Sequence, residues 1–409
     1  MFKQFNKKKL FTTVALLLST QVASVSAAEF MDGKVTIGGA ASQSWQTAIE
    51  PSGVLADPTL AEADSGFHRL RVALHVTAQV AEDVSIFVEL SEEPDDFGTN
   101  GFAMAQDLAW MQFDNVFGGN TLRVGNVVTT VQNFLHFSDG AVVQSNPLIG
   151  NAATDLITAE NGIWLLGAED LGEGRKWTWD LAVTIPSFSS DFSADSGYNL
   201  QARTTYGLTE SLSFGAAVMK TTGDATCTSS TNCTLTDGGS FNSIIGLGDG
   251  DAYEFATGGP VDHKHPQIIP AVDALLAQFD IQYQTDEVLV NAFFGQAKDE
   301  YSWANGNVGS TFTQTDAEMQ WFGILGKVNI SDKTYLAARY TETTNETSGV
   351  TGDNKFDRIQ VGAGYWYREN VLIKAEYVRQ NEGAGSGSQF TGNGDIDWDA
   401  FLIEASVSF

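Results

Sequence analysis

The sequence predicts an all-β protein, a transmembrane antiparallel β-barrel of about 16 strands with short turns at one end and long loops at the other. The first observation is the stretch 401–409, in which alternate residues are apolar and most of the others are polar. Successive strand side chains point to opposite faces, and a spanning strand needs about 9–11 residues, so this stretch can cross a bilayer. The second observation is that such segments recur, and the third is that their connections alternate in length.

The alternating segments follow one another from Val35 to the last residue. Their predicted first residues are Val35, Phe67, Val84, Gln106, Leu122, Gly162, Lys176, Tyr198, Leu212, Leu275, Val288, Gln320, Thr334, Phe356, Val371 and Ile396. Short connections such as 208–210 and 331–332 alternate with long ones such as 129–161 and 222–273. Outer-membrane barrels have short periplasmic turns and longer extracellular loops. A secreted β-sandwich or propeller, the chief soluble alternative, would lack this alternation.

Charged side chains share one face of several predicted strands. In the second strand, Arg69, Arg71 and His75 alternate with an apolar row from Leu70 to Val80. An Arg or Lys facing lipid at the bilayer midplane costs roughly 2–4 kcal/mol. We therefore expect the charged face of each strand to line a wet lumen, which 16 strands make wide enough for an aqueous channel.

The amino terminus predicts export. Four lysines precede the apolar stretch Leu10–Leu18, and small residues around Ala27 offer a cleavage site. The stretch is too short to span a membrane, so residues 1–27 are interpreted as a signal peptide and 28–409 as the barrel domain. Removing the four lysines changes the formal net charge from −29 to −33. Such a charge argues against nucleic acid as a partner and favours contact of acidic loops with divalent cations and lipopolysaccharide.

Cys227 and Cys233 are the only cysteines. In an exported protein this closely spaced pair predicts a local disulfide. Two thiols are too few for a metal site, and the pair His263 and His265 is interpreted as part of a solvated loop. We expect no metal and no cofactor.

The segment Val127–Glu160 is predicted to fold into the lumen as a constriction loop. It has three acidic residues, Asp139, Asp155 and Glu160. Opposed acids and bases would create a transverse field that sets ion preference; the alternative is that the arginines are struts paired with inward carboxylates. The candidate basic residues of the wall are Arg69, Arg71, Arg123, Arg203, Arg339 and Arg358.

Several short motifs resemble a known family. Residues 67–71 (FHRLR), 107–113 (DLAWMQF) and 122–125 (LRVG) occur in this order in the first third of the chain and resemble the phosphate-selective porin O/P family. Residues 329–336 (NISDKTYL) resemble a turn of general Gram-negative porins, and the terminal Phe409 resembles the end of bacterial outer-membrane barrels. The resemblance implies a sixteen-stranded, trimeric diffusion channel.

The charge balance departs from that family. The phosphate selectivity of that family implies many Lys and Arg residues in the lumen, whereas this chain has 22 Lys and Arg residues against 51 acidic residues. In addition, Gly125 is not followed by a basic residue. We therefore expect a broad or cation-leaning porin for small hydrophilic solutes, with a substrate-selective porin for phosphate or another anion, a sugar or a dicarboxylate as the alternative. A barrel enzyme would need a His with a Ser or carboxylate partner, and no such set is evident among five scattered histidines. An adhesin using the 222–273 loop is a further alternative.

Overall fold

The computed structural model describes most of the predicted strands and part of one loop. The described residues are 28–47, 65–92, 105–131, 144–150, 159–185, 197–223, 226–227, 233–234, 274–299, 317–345, 355–382 and 396–409. Within these ranges no helix has the length and apolar character needed to cross a membrane.

Sixteen long strands form one antiparallel sheet. They are β1 Val35–Gln46, β2 Gly66–Ala81, β3 Val84–Glu92, β4 Ala105–Val116, β5 Asn120–Val128, β6 Ala159–Gly172, β7 Arg175–Ile185, β8 Gly197–Gly207, β9 Leu212–Gly223, β10 Ala274–Gln284, β11 Val288–Asp299, β12 Ala317–Ser331, β13 Thr334–Asn345, β14 Lys355–Arg368, β15 Val371–Glu382 and β16 Ile396–Ser408. Every predicted strand is present, and each begins within three residues of its predicted start.

The sheet closes on itself. Each strand pairs with the next, and β16 pairs with β1 from Leu402 opposite Gln46 to Ser408 opposite Ala40. The short strand Ala28–Phe30 pairs with the first residues of β1, on the same edge of β1 that pairs with β16 farther along. Closure leaves no unpaired strand edge, which is the condition for a sheet to cross lipid. The predicted sixteen-stranded antiparallel barrel is confirmed.

Phe409 extends the pairing between the first and last strands. Its backbone exchanges hydrogen bonds with Gly39, at 2.8 and 2.9 Å. A Cβ at Gly39 would come within 2.7 Å of the Phe409 ring, so only glycine leaves room for the ring to lie on β1.

The two faces of the barrel differ as the alternation predicts. On β16, Phe401, Ile403 and Val407 point outward and are 37–41% exposed, whereas Glu404 and Ser406 point inward and are 3% exposed. The same outward row of large apolar side chains continues around the wall. Exposed apolar surface of this extent is stable against lipid tails and not against water.

The inner surface has two parts that differ in exposure. The inward side chains of β9–β16, called here the covered wall, are nearly all buried. Those of β2–β5, called the open wall, include half-buried Arg71, His75, Phe87 and Trp110 and exposed Thr77. Of these two parts, the open wall therefore has the more exposed inward side chains.

Candidate constriction and channel wall

Residues Gln144–Gly150, called here the lumen segment, lie inside the barrel against the covered wall. Ser408 Oγ donates to Gln144 Oε1 at 2.9 Å, and Gln144 Nε2 donates to the carbonyl oxygen of Asn370 at 3.0 Å. Asn370 lies in the short turn between β14 and β15, whereas the chain leaves β5 at the long-loop end. Gln144 therefore lies near the short-turn end of the lumen, opposite the end at which β5 finishes.

Charged side chains of β13–β15 hold the lumen segment. Lys374 Nζ donates to the carbonyl oxygens of Asn146 and Leu148, at 3.3 and 2.9 Å. Glu376 accepts hydrogen bonds from the backbone N–H groups of Ile149 and Gly150. Because charged hydrogen bonds are worth about 1.5–3 kcal/mol each, these contacts fix the path of the segment.

Arg339 is one of these anchors rather than a side chain facing open water. It is 2% exposed, its Nε donates to Gln360 Oε1 at 2.7 Å, and its Nη2 donates to the carbonyl oxygen of Gly150. Arg358 is fully buried on β14, and its Nε donates to Gln380 Oε1 at 2.8 Å. Both arginines point inward as predicted, and both lie on the covered wall.

Arg203 is a strut. Its Nη2 lies 2.8 Å from Asp280 on β10, two strands away from its own β8. The pair reaches across Gly215 of β9, because a Cβ at that position would collide with both partners.

Arg123 and Arg71 lie on the strands of the open wall, where Arg71 is half-buried and Arg123 is 7% exposed. Arg123 Nε donates to Gln112 Oε1 at 2.8 Å, and its guanidinium lies 5.2 Å from the Trp110 ring centroid. Arg71 is half-buried on β2, opposite Ser42. Arg69 also lies on β2, but its side chain is outside the described residues.

Glu160 is a strand residue, not a loop residue as the sequence suggested. The loop after β5 begins at Thr129 and β6 begins at Ala159. The Glu160 carboxylate is fully buried and accepts hydrogen bonds from Thr184, Asn199 and Gln201 of β7 and β8. It is thus held by neutral donors of the wall. Asp139 and Asp155, the other predicted acids of the constriction, lie outside the described residues.

The inner surface is less polar than the sequence indicated. On the covered wall, inward apolar side chains such as Met219, Phe293 and Trp321 form a cluster with Val131 and Leu148 of the loop. The expectation that the inward face of each strand lines a wet lumen was wrong here, because the loop removes these side chains from water. Alternation gives the direction of a side chain, and the loop that covers it lies far away in sequence.

Sequence reasoning also missed functional candidates. Lys374 and Glu376 alternate with apolar residues of β15, which predicts their inward direction, but their backbone partners in the lumen segment have no sequence signal. Trp110 points inward, whereas aromatic residues of barrels usually point outward. The available signal was that Trp110 and Gln112 are two residues apart and therefore lie on the same face of the strand.

Cys227 and Cys233 lie directly opposite each other in a small hairpin outside the barrel sheet. Directly opposed Cα positions in an antiparallel pair are within the range that a disulfide spans.

Several solved structures share this architecture. An anion-selective porin from Comamonas acidovorans matches with a TM-score of 0.54 at 11% identity, over 92% of this chain and 99% of that chain. OmpT of Vibrio cholerae, in trimer form, matches with a TM-score of 0.52 at 13% identity, over 92% and 99%. Salmonella typhi OmpF in complex with daunomycin matches with a TM-score of 0.53 at 12% identity, over 92% and 97%.

The fold is that of outer-membrane porins. A closed barrel with an apolar outer surface places the chain in the outer membrane of a Gram-negative bacterium. No protein-family model and no curated protein matches the sequence. The resemblance of the first third to the phosphate-selective family therefore has no support from these comparisons, and identities of 11–13% show the shared fold alone.

Proposed function

We propose that this porin-fold barrel is a water-filled channel for passive diffusion of small hydrophilic solutes and ions, and not an enzyme. The supporting observation is the contrast between the two inner surfaces. The lumen segment and the apolar cluster fill the side of β9–β16, while some inward side chains of β2–β5, such as Arg71, His75 and Thr77, keep contact with solvent. A passage narrowed by an inserted loop and lined by fixed charges sorts solutes by size and charge.

The channel has a broad, cation-leaning selectivity. The wall cations Arg203 and Lys374 are neutralised by Asp280 and Glu404, at 2.8 and 2.7 Å. The excess of acids in the whole chain, 51 against 22 bases, then dominates the field at the entrance and raises the local concentration of cations. Selectivity for phosphate or another anion, a sugar or a dicarboxylate is the competing proposal.

Reversal potentials across a planar bilayer under a KCl gradient test this selectivity. We expect a potential of the sign given by K⁺ permeating faster than Cl⁻, and a smaller potential at high ionic strength because salt screens the acidic entrance. A reversal potential of the opposite sign would contradict the cation-leaning proposal and favour an anion-selective channel.

The barrel is proposed to work as a homotrimer that associates through the outer face of β1–β5. Outward residues there are mostly aliphatic and half-buried, as in the directly paired Val76 and Val88. Around the rest of the barrel, exposed aromatics such as Phe279, Phe294 and Tyr365 are common on the outer face. Aromatic side chains favour contact with the lipid interface, so a stretch poor in them suits contact with another subunit.

Three further features complete the proposal. Residues 1–27, which lie outside the described residues, direct export and are then removed. Lipopolysaccharide contacts the long-loop end of the barrel, where Arg379 and Asp397 pair at 3.4 Å on the outer face. Cys227 and Cys233 form a disulfide. Alkylation of the unfolded, unreduced protein should leave both cysteines unmodified, and labelling of either would refute the disulfide.

A further inference from the structure

Arg123 differs from the other cations of the lumen wall. Arg203 and Lys374 each lie within 2.8 Å of a carboxylate oxygen. Arg123 donates its Nε–H to a neutral partner, the Oε1 of Gln112, at 2.8 Å. Among the described residues no carboxylate lies within ion-pair distance of Arg123, so its charge is not cancelled by direct contact.

Its orientation is fixed by neighbours on two strands. Gln112 Nε2 donates to Asp114 Oδ1 at 3.0 Å, and Thr121 Oγ1 donates to the same oxygen at 3.0 Å. These bonds turn the amide oxygen of Gln112 toward Arg123. The Arg123 guanidinium also lies over the Trp110 ring, 5.2 Å from the ring centroid. The face of an aromatic ring attracts a cation in this position.

The two terminal nitrogens of the Arg123 guanidinium are not used by the contacts described so far. Within the described part of the chain, Nη1 and Nη2 of Arg123 donate no hydrogen bond, although the residue is only 7% exposed. Two parallel N–H groups of a guanidinium match the two oxygens of a carboxylate. These two N–H groups of Arg123, called here the fork, are therefore held in position on the lumen wall before a solute binds.

An apolar surface lies beside the fork. Phe87 stacks on Trp110 with ring centroids 4.1 Å apart and planes inclined by 23°. Both rings belong to the open wall and are only half-buried. Trp110 packs in turn against a buried apolar cluster formed by Val127, Trp164, Leu166 and Ala182.

We propose that Arg123 and the Phe87–Trp110 stack form a subsite for small solutes that combine a carboxylate with a planar apolar group. The proposal rests on the channel function. The carboxylate binds Nη1 and Nη2, and the apolar group lies against the exposed parts of the two rings. Few polar contacts that fix orientation beside an apolar surface are typical of small-molecule sites. The subsite makes Arg123 a specificity-determining residue of the channel.

Block of the open-channel current by sodium benzoate tests the subsite. We expect benzoate to reduce the wild-type current, and Arg123→Gln to raise the half-blocking concentration at least about tenfold, since a charged hydrogen bond is worth roughly that factor. Arg123→Lys should recover only part of the effect, because it keeps the charge and loses the fork. Lys176→Gln, which removes an exposed cation near a short turn, is the matched control and should leave block unchanged.

Acetate and benzyl alcohol separate the two halves of the subsite. Both should block only at concentrations at least about tenfold above that of benzoate, because each makes one of the two contacts. Equal block by acetate and benzoate would refute the role of the rings, and unchanged block in Arg123→Gln would refute the role of the guanidinium. Absence of benzoate block in a channel that conducts KCl would overturn the subsite and leave the channel function standing, whereas absence of conduction would overturn both.

Discussion

At the scale of single residues, Gly215 decides whether two distant strands can exchange an ion pair. Arg203 and Asp280 are 11% and 7% exposed and meet at 2.8 Å above the intervening strand β9. The place where their side chains meet is the space that a Cβ of residue 215 would occupy. Breaking a buried ion pair costs about 3–5 kcal/mol when one charge is left unpaired.

Gly215→Ala is therefore expected to lower the free energy of unfolding by at least about 1 kcal/mol, since the methyl group pushes the two charges apart. Gly326→Ala is the control, because a Cβ at that strand position meets no atom within 4 Å. Urea unfolding of the refolded barrel in lipid measures both variants. Equal stabilities would show that the Arg203–Asp280 pair does not depend on the glycine.

The sequence predicts whether a strand side chain points inward or outward, but it does not predict which residues that side chain contacts. Alternation placed Arg123, Arg203, Arg339 and Arg358 inward, and all four point inward. Whether each arginine is a strut or lines open water depends on contacts such as that of Arg339 with Gly150, which is 189 residues away. Local periodicity has no information on such pairs.

At the scale of elements, the lumen segment is held by the wall rather than by its own packing. Its backbone N–H groups at Ile149 and Gly150 both reach the carboxylate of Glu376. A segment with few regular backbone partners keeps its position only while such side chains remain.

Glu376→Ala should release this segment, because two buried N–H groups lose a charged acceptor worth about 1.5–3 kcal/mol per bond. We expect single-channel currents with larger fluctuations and an altered mean conductance. Glu369→Ala removes an exposed carboxylate from the nearby turn and should leave the current unchanged. Quiet, wild-type currents in Glu376→Ala would show that other contacts position the segment.

Strands were predictable because each is a local pattern, and the path of the loop was not. All sixteen strands begin within three residues of the expected positions, since alternation and turn residues mark them. Residues 144–150 have no period, and their fold depends on β13–β16. The same limit explains Glu160, whose strand begins earlier than its alternating pattern indicated.

At the scale of the whole molecule, the outer surface is uneven, and this unevenness underlies the proposed trimer. Val88 on β3 and Val361 on β14 both point outward, but Val88 is half-buried between aliphatic neighbours and Val361 is 51% exposed. Only the surroundings of the two valines differ, so they form a matched pair.

Val88→Trp should disrupt the trimer, because overfilling a packed contact typically costs about 1–3 kcal/mol per site. Val361→Trp should be tolerated, since a lipid-facing position accepts an aromatic ring. The mass of the detergent-solubilised complex, measured by light scattering, distinguishes the two. An intact trimer in Val88→Trp, or its loss in Val361→Trp, would place the interface elsewhere.

Single-channel recording of the purified protein in a planar bilayer tests the central proposal, that the barrel is an open aqueous channel. The partly solvated wall of β2–β5 predicts discrete conductance steps that are nearly linear with voltage and grow with salt concentration. Protein that is folded, as judged by its heat-modifiable gel mobility, and that inserts without producing any such steps would contradict the proposal.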